Sequence, residues 1–228
     1  MKTKLSLVLV LLLAGFASAT VGDSWNLLGD FDGTNPNGAW KYTSLEPGNP
    51  GWEGPLSDKG GGWWMHTGYT CIMMHVGQYD GAWGLNMAAD EIALNSNAAW
   101  HAVMQWTAPE AGTYQIDATF RGATEPTVGQ VEVPVYIQKN LVGANTGNPG
   151  AALYYSSVTD TTTLLTPSIT VTLAAGDTIS FACSGLNHDG YSLRPDWVAL
   201  KANIEQIPEP ATMVLSLVGL AFLRKRSK

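Results

Sequence analysis

Charge is scarce in this chain. Only 14% of its 228 residues are Asp, Glu, Lys or Arg, about half the share usual in globular proteins. The shortage falls on cations, with 12 Lys and Arg against 19 Asp and Glu and a net charge of −7. Between residues 20 and 207 only Lys41, Lys59, Arg121, Lys139, Arg194 and Lys201 face eighteen acids, a net of −12. So acidic a segment excludes nucleic acid as a partner. Metal-ligand spacing is also missing. His66, His75, His101 and His188 are scattered, and neither His-x-x-x-His, His-Glu-x-x-His nor a close cysteine pair occurs, which excludes the common zinc sites. There is no Gly-x-Ser-x-Gly elbow and no recognisable Ser, His and Asp set. A glycosidase's two carboxylates are paired in space and leave no sequence signature. The chain is read as non-enzymatic, with a glycoside hydrolase as the remote third class.

Long apolar runs occur only at the two ends. "MKTKLSLVLVLLLAGFASA" places Lys2 and Lys4 before an apolar run from Leu5 to Phe16 and closes on small residues. That order is a secretory signal peptide with cleavage after Ala19, and its run is short for a membrane span. At the other end Ala211 to Leu223 carries no charge, then Arg224, Lys225, Arg226 and Lys228 follow. As a helix those thirteen residues reach about 20 Å, less than the ~30 Å hydrocarbon core. The basic cluster is of the kind held on the cytoplasmic side. The expected organisation is a signal peptide over 1–19, one domain over 20–207, and a short C-terminal hydrophobic helix with a basic stop within 208–228.

Pro208-Glu209-Pro210, the apolar stretch and the Arg/Lys stop together resemble the PEP-CTERM sorting signal of Gram-negative bacteria. The resemblance implies a processing partner of the exosortase type, a transient stay in the inner membrane, and delivery to the cell surface or extracellular matrix. It designates Pro208, Glu209, Pro210, Arg224, Lys225 and Arg226 as the sorting elements.

Within residues 20–207, period-two alternation is the main signal. Tyr114, Ile116, Ala118 and Phe120 interleave with polar residues, and Val133, Val135 and Ile137 share a face with Pro134 opposite. Further alternation puts Ile169, Val171 and Leu173 on one side, as it does Ile179, Phe181 and Cys183, and Val198, Leu200, Ala202 and Ile204. Such runs are half-buried strands, and a proline inside one marks an edge strand or a bulge. "APEAG" at 108–112, "AAGD" at 174–177 and "NHDG" at 187–190 supply turns between them. The fold expected is all-β, an antiparallel two-sheet β-sandwich of the jelly-roll type. Trp40, Trp100, Trp106 and Phe181 are expected in its core, and Gly112 and Gly176 in its turns. "FDGTNPNGAWKY", "VMQWTAPEAGTYQIDATFRG" and "ITVTLAAGDTISFACSGLNHDGYSLRPDWVAL" resemble segments of jelly-roll domains in PEP-CTERM proteins. The last is also similar to carbohydrate-binding modules of that fold.

Nine tryptophans are many for this length. Trp52, Trp63, Trp64 and Trp83 sit among glycines, where large rings stand exposed. Aromatic faces beside Asp and Asn are what sugar recognition uses, so these four are the candidate carbohydrate contacts and a polysaccharide is the candidate ligand. The alternative is that the rings cover an open end of the sandwich. Asp30 and Asp32 in one loop, with Asp189 and Asp196 in another, offer hard oxygen ligands. The resemblance to sugar-binding jelly rolls implies a structural calcium there, while simple Asx-turns are the competing account. No cofactor is otherwise called for. Cys71 and Cys183 are the only cysteines. In an oxidising compartment a disulfide between them is expected, contributing about 4 to 5 kcal/mol on the chain-entropy model, against two buried thiols otherwise. The sequence thus describes an exported, non-catalytic surface protein that binds carbohydrate, or else a structural or adhesion matrix protein without a glycan pocket.

Overall fold

The computed structural model describes residues 23–31, 35–46, 53–55, 57–58, 63–65, 72–75, 85–96, 100–123, 132–142, 151–184 and 197–208; between 53 and 75 that description is of backbone pairing. In chain order its strands are β1 (Ser24–Asn26), β2 (Trp40–Leu45), β3 (Glu53–Pro55), β4 (Ser57–Asp58), β5 (Trp63–Met65), β6 (Ile72–His75), β7 (Ile92–Asn95), β8 (His101–Thr107), β9 (Gly112–Gly122), β10 (Val133–Lys139), β11 (Tyr154–Val158), β12 (Ser168–Leu173), β13 (Thr178–Cys183) and β14 (Trp197–Ile207). They form two antiparallel sheets. The first has the order β12-β9-β14-β7-β6-β5-β4, with β1 also paired to β14, and the second the order β11-β10-β13-β8-β2-β3. From β7 onward the chain passes back and forth, with β7, β9, β12 and β14 in the first sheet and β8, β10, β11 and β13 in the second. This is the expected jelly-roll winding.

The apolar sets read from the alternation meet between the sheets. Tyr114, Ile116 and Phe120 from β9 and Val198, Leu200 and Ile204 from β14 pack against Trp106, Val135, Ile137, Ile179 and Phe181 from the second sheet, all buried. Trp40 and Trp106 lie in this core as expected, while Trp100 is half-buried against it. Trp25 of β1 covers one flank, its ring 5.1 Å from that of Trp106, which meets Tyr114 edge-on at 5.1 Å. Burying a large apolar side chain is worth about 1.5 to 3 kcal/mol, and edge-to-face contacts add about 0.5 to 1.5 kcal/mol. The core therefore holds β1 to the sheets by more than its three paired residues.

Two expectations need correction. Pro134 does not make β10 an edge, since β10 lies between β11 and β13. The β10–β13 pairing stops at Val135 and Cys183, so the missing N–H falls one residue past the last pair, and the Pro134 carbonyl still accepts from the Ser184 N–H at 2.8 Å. Gly112 is the first residue of β9, not only a turn residue: a Cβ there would lie 2.7 Å from Gln206 Nε2. Gly176 does turn the chain, at φ +84°. The described residues contain no disulfide. Cys183 is buried in the core between the sheets, and Cys71 lies outside the described residues, as does the 187–190 turn.

Candidate functional site

The outer face of the second sheet carries an unusual mixture. Pairing lines up Tyr155, Tyr136, Ala182, Val103 and Thr43 straight across β11, β10, β13, β8 and β2. On one side runs a polar row of Gln138, Ser180, Gln105 and Lys41, and on the other lie Ser184, His101 and Leu45. A face open to water would leave these side chains exposed, yet Thr43, His101, Gln138, Ser180 and Ser184 are all buried. The covering begins at Asn140, which takes φ 51°, a left-handed geometry Asn tolerates. Leu141 then packs with Tyr136, Val103, Ala182 and Leu45, and Ala152 joins them from the far end of the same connection. At the β11 edge Tyr155 is 41% exposed, so a ring lies open to solvent next to a covered polar floor.

Buried polar groups need partners, and here they bind strands together. The His101 ring lies 2.6 Å from the Tyr136 hydroxyl through Nδ1 and 3.4 Å from the Ser184 hydroxyl through Nε2. Gln105 Nε2 donates to Ser180 Oγ at 3.2 Å. A neutral imidazole can accept at one nitrogen and donate at the other, which suits two hydroxyl partners. Burial pulls the His101 pKa down to about 4, since no carboxylate among the described neighbours offsets the loss of hydration. The ring is a strut joining β8, β10 and β13.

A second buried polar group sits on the outer face of the first sheet. Arg121 Nε donates to Glu91 Oε1 at 2.8 Å, its Nη2 to Oε2 at 2.5 Å, and its Nη1 to the Gly122 carbonyl at 3.0 Å. Glu91 also accepts from the Ala88 N–H at 2.6 Å. The bidentate pair ties residues 85–91 over Ala93, Ala199 and Trp197. It is structural. Thirty residues separate the partners, so no local spacing announces them.

The residues singled out from sequence fare differently. Trp63 and Trp64 are consecutive positions of β5, paired with Met74 and Met73 of β6, toward the β4 side of the first sheet. Trp52 and Trp83 lie outside the described residues, as do Asp32, Asp189 and Asp196. Asp30 is described, and its carboxylate is engaged: Oδ2 accepts from the Asn26 N–H and the Trp40 indole, both at 3.1 Å. Asn35 brackets Tyr42, accepting its N–H at 2.9 Å and donating to its carbonyl at 2.8 Å. These groups fasten Asp30 and Asn35 to β2. Among the described residues no group of three or more His, Cys, Asp and Glu side chains could hold a metal ion. Of the sorting elements Pro208 alone is described, directly after β14; Glu209, Pro210, Arg224, Lys225, Arg226 and the hydrophobic tail fall outside. Tyr155 escaped the sequence reading because only its pairing with Tyr136 sets it on this face.

No family model and no curated protein matches the chain. Solved structures of similar shape include TmCBM61 in complex with β-1,4-galactotriose, at 9% identity over 73% of this chain and 88% of that one, with a TM-score of 0.39. The CBM22-1 xylan-binding domain of Paenibacillus barcinonensis Xyn10C is similar at 10% identity over 84% and 99%, with a TM-score of 0.40. Pika GITRL is similar at 17% identity over 74% and 96%, with a TM-score of 0.27. At these identities and scores the likeness carries no statement about what this chain binds.

Proposed function

We propose that this chain is an exported, non-catalytic carbohydrate-binding β-sandwich, delivered to the bacterial surface or extracellular matrix by a PEP-CTERM and exosortase route. The observation that carries the binding reading is the β11 edge of the second sheet's outer face, where the exposed Tyr155 ring shares that face with the hydroxyl of half-buried Ser157 on the same strand. A sugar presents CH groups to a ring and hydroxyls to such neighbours. The tryptophans of β5 are the second candidate contact. A structural calcium remains part of the proposal through Asp32, Asp189 and Asp196, with Asp30 already engaged. The sorting reading rests on the order of motif, apolar run and basic stop in the sequence.

Affinity electrophoresis through gels containing soluble polysaccharides tests the binding. Retardation by a particular polymer is expected. Tyr155→Ala should weaken it about tenfold, equivalent to ~1.4 kcal/mol, with tryptophan fluorescence unchanged. Unaltered retardation of both Tyr155→Ala and the Trp63→Ala, Trp64→Ala pair would remove both contact assignments. The packing of Leu141 and Ala152 onto the centre of the face favours a second reading, a structural matrix protein whose covered sheet needs no glycan. Migration independent of every polymer, from folded protein, would support it.

A further inference from the structure

The chain enters and leaves the sandwich side by side. Ser24 of β1 pairs with Glu205 of β14, and the Gln206 N–H donates to the Asp23 carbonyl at 3.0 Å. Ile207 pairs with Thr113, which sets Pro208 beside the turn that opens β9. That end of the domain is firmly closed. Ala108 N–H donates to the Asp177 carbonyl and Gly176 N–H to the Ala108 carbonyl, both at 2.8 Å. The Asp177 carboxylate accepts from Lys139 at 2.7 Å and from Asn140 at 2.9 Å. Turns 108–112 and 174–177 and the end of β10 thus form one plate around the two chain exits.

Both apolar runs of the sequence attach to this plate. Ala211, the first residue of the C-terminal run, is three positions beyond Pro208, and the N-terminal run ends at Phe16, seven before Asp23. At most about 3.6 Å per residue, the C-terminal link spans ~11 Å. The two prolines of this link restrict φ in any conformation it takes, so its reach is set by sequence and length. The opposite end is far away. Leu165 bridges to Phe120 of β9, eight residues along the strand from Gly112, or about 26 Å at ~3.3 Å per residue.

We propose that the plate made by turns 108–112 and 174–177 is the lipid-facing end of the domain, and that the 159–167 end points away from the bilayer. The proposal rests on the reading of the terminal runs as membrane-entering, but either run would present the same end. Asp23, Glu110 and Glu205 at this end give it no attraction for anionic headgroups, so the link and not adhesion sets its distance. The strands then stand roughly along the membrane normal, and the β11 edge with its exposed Tyr155 faces the exterior.

The test uses the full chain reconstituted in phosphatidylcholine vesicles, carrying a fluorophore on an azide-bearing amino acid placed at Glu110 or at Leu164, which is 57% exposed. Flotation with the vesicles reports insertion, and a short-range quencher on the lipid headgroups reports proximity. Strong quenching at 110 with little at 164 is expected. Flotation with equal quenching, or with stronger quenching at 164, would overturn the orientation while leaving the membrane reading standing. Failure to float would overturn both. Flotation of a Val214→Asp, Leu217→Asp variant equal to the parent would assign anchoring to the N-terminal run, with the same quenching pattern still required.

Discussion

Acid should weaken this fold through one buried ring. His101 holds its proton more weakly in the folded protein, where its pKa is about 4, than in an open chain at 6.5. The unfolded chain therefore protonates first as pH falls. The stability associated with neutral His101 is complete above pH 6.5, declines between 6.5 and 4, and levels off below. At about 1.4 kcal/mol per tenfold change, the total loss is ~3 kcal/mol, large against typical domain stabilities of about 5 to 15 kcal/mol. Urea unfolding followed by tryptophan fluorescence at pH 7.5, 6.5, 5.5 and 4.5 measures it. His101→Gln should be less stable than the parent at pH 7.5, since the strut between Tyr136 and Ser184 is altered. The variant should also lose most of the decline between pH 6.5 and 4.5. Comparing the two removes the contribution of the other histidines. Parallel pH profiles for parent and variant would refute the assignment of this decline to His101.

Truncating Glu91 to Ala leaves Arg121 buried without its bidentate partner and should cost about 3 to 5 kcal/mol, while Glu91→Leu with Arg121→Met should recover much of it; chemical denaturation of the three proteins measures both. Gly122→Ala places a methyl 2.7 Å from the Asp160 carbonyl oxygen, and that overpacking should cost about 1 to 3 kcal/mol, read as a lower midpoint in thermal unfolding. For sorting, changing Pro208, Glu209 and Pro210 to alanines should trap the protein in the inner membrane, as shown by fractionation; normal surface delivery would contradict it.

Much of the fold was legible because a strand buried on one face repeats every two residues. β9, β12 and β14 follow that pattern, with Asp117, Thr170, Lys201 and Glu205 exposed opposite the core. β10 and β13 break it. Gln138, Ser180 and Ala182 occupy positions that alternation assigns to solvent, yet all three are buried, Ala182 under Leu141 and Ala152 of the following connection. Coverage by a distant connection leaves no periodicity in the covered strand. Pro134 misled for a related reason: whether a missing N–H matters depends on where the neighbouring ladder stops, and that is a property of two strands. The Glu91–Arg121 pair and the His101 strut join segments 30 and 35 or more residues apart, beyond any local spacing rule. Tyr155 became a candidate only once β11 was placed against β10. Asp30 offers a hard oxygen by residue type, but that its Oδ2 accepts from the Asn26 N–H and the Trp40 indole depends on where β2 lies and could not be read from the loop.

The carbohydrate-binding claim is tested most directly by presenting the fragment of residues 20–207, under non-reducing conditions, to a broad glycan array with calcium and with chelator. The account expects a specific glycan signal that falls on Tyr155→Ala or on Trp63→Ala with Trp64→Ala, and that weakens in chelator. A blank array in both buffers, from protein that unfolds cooperatively in urea, would contradict it and leave a structural matrix domain.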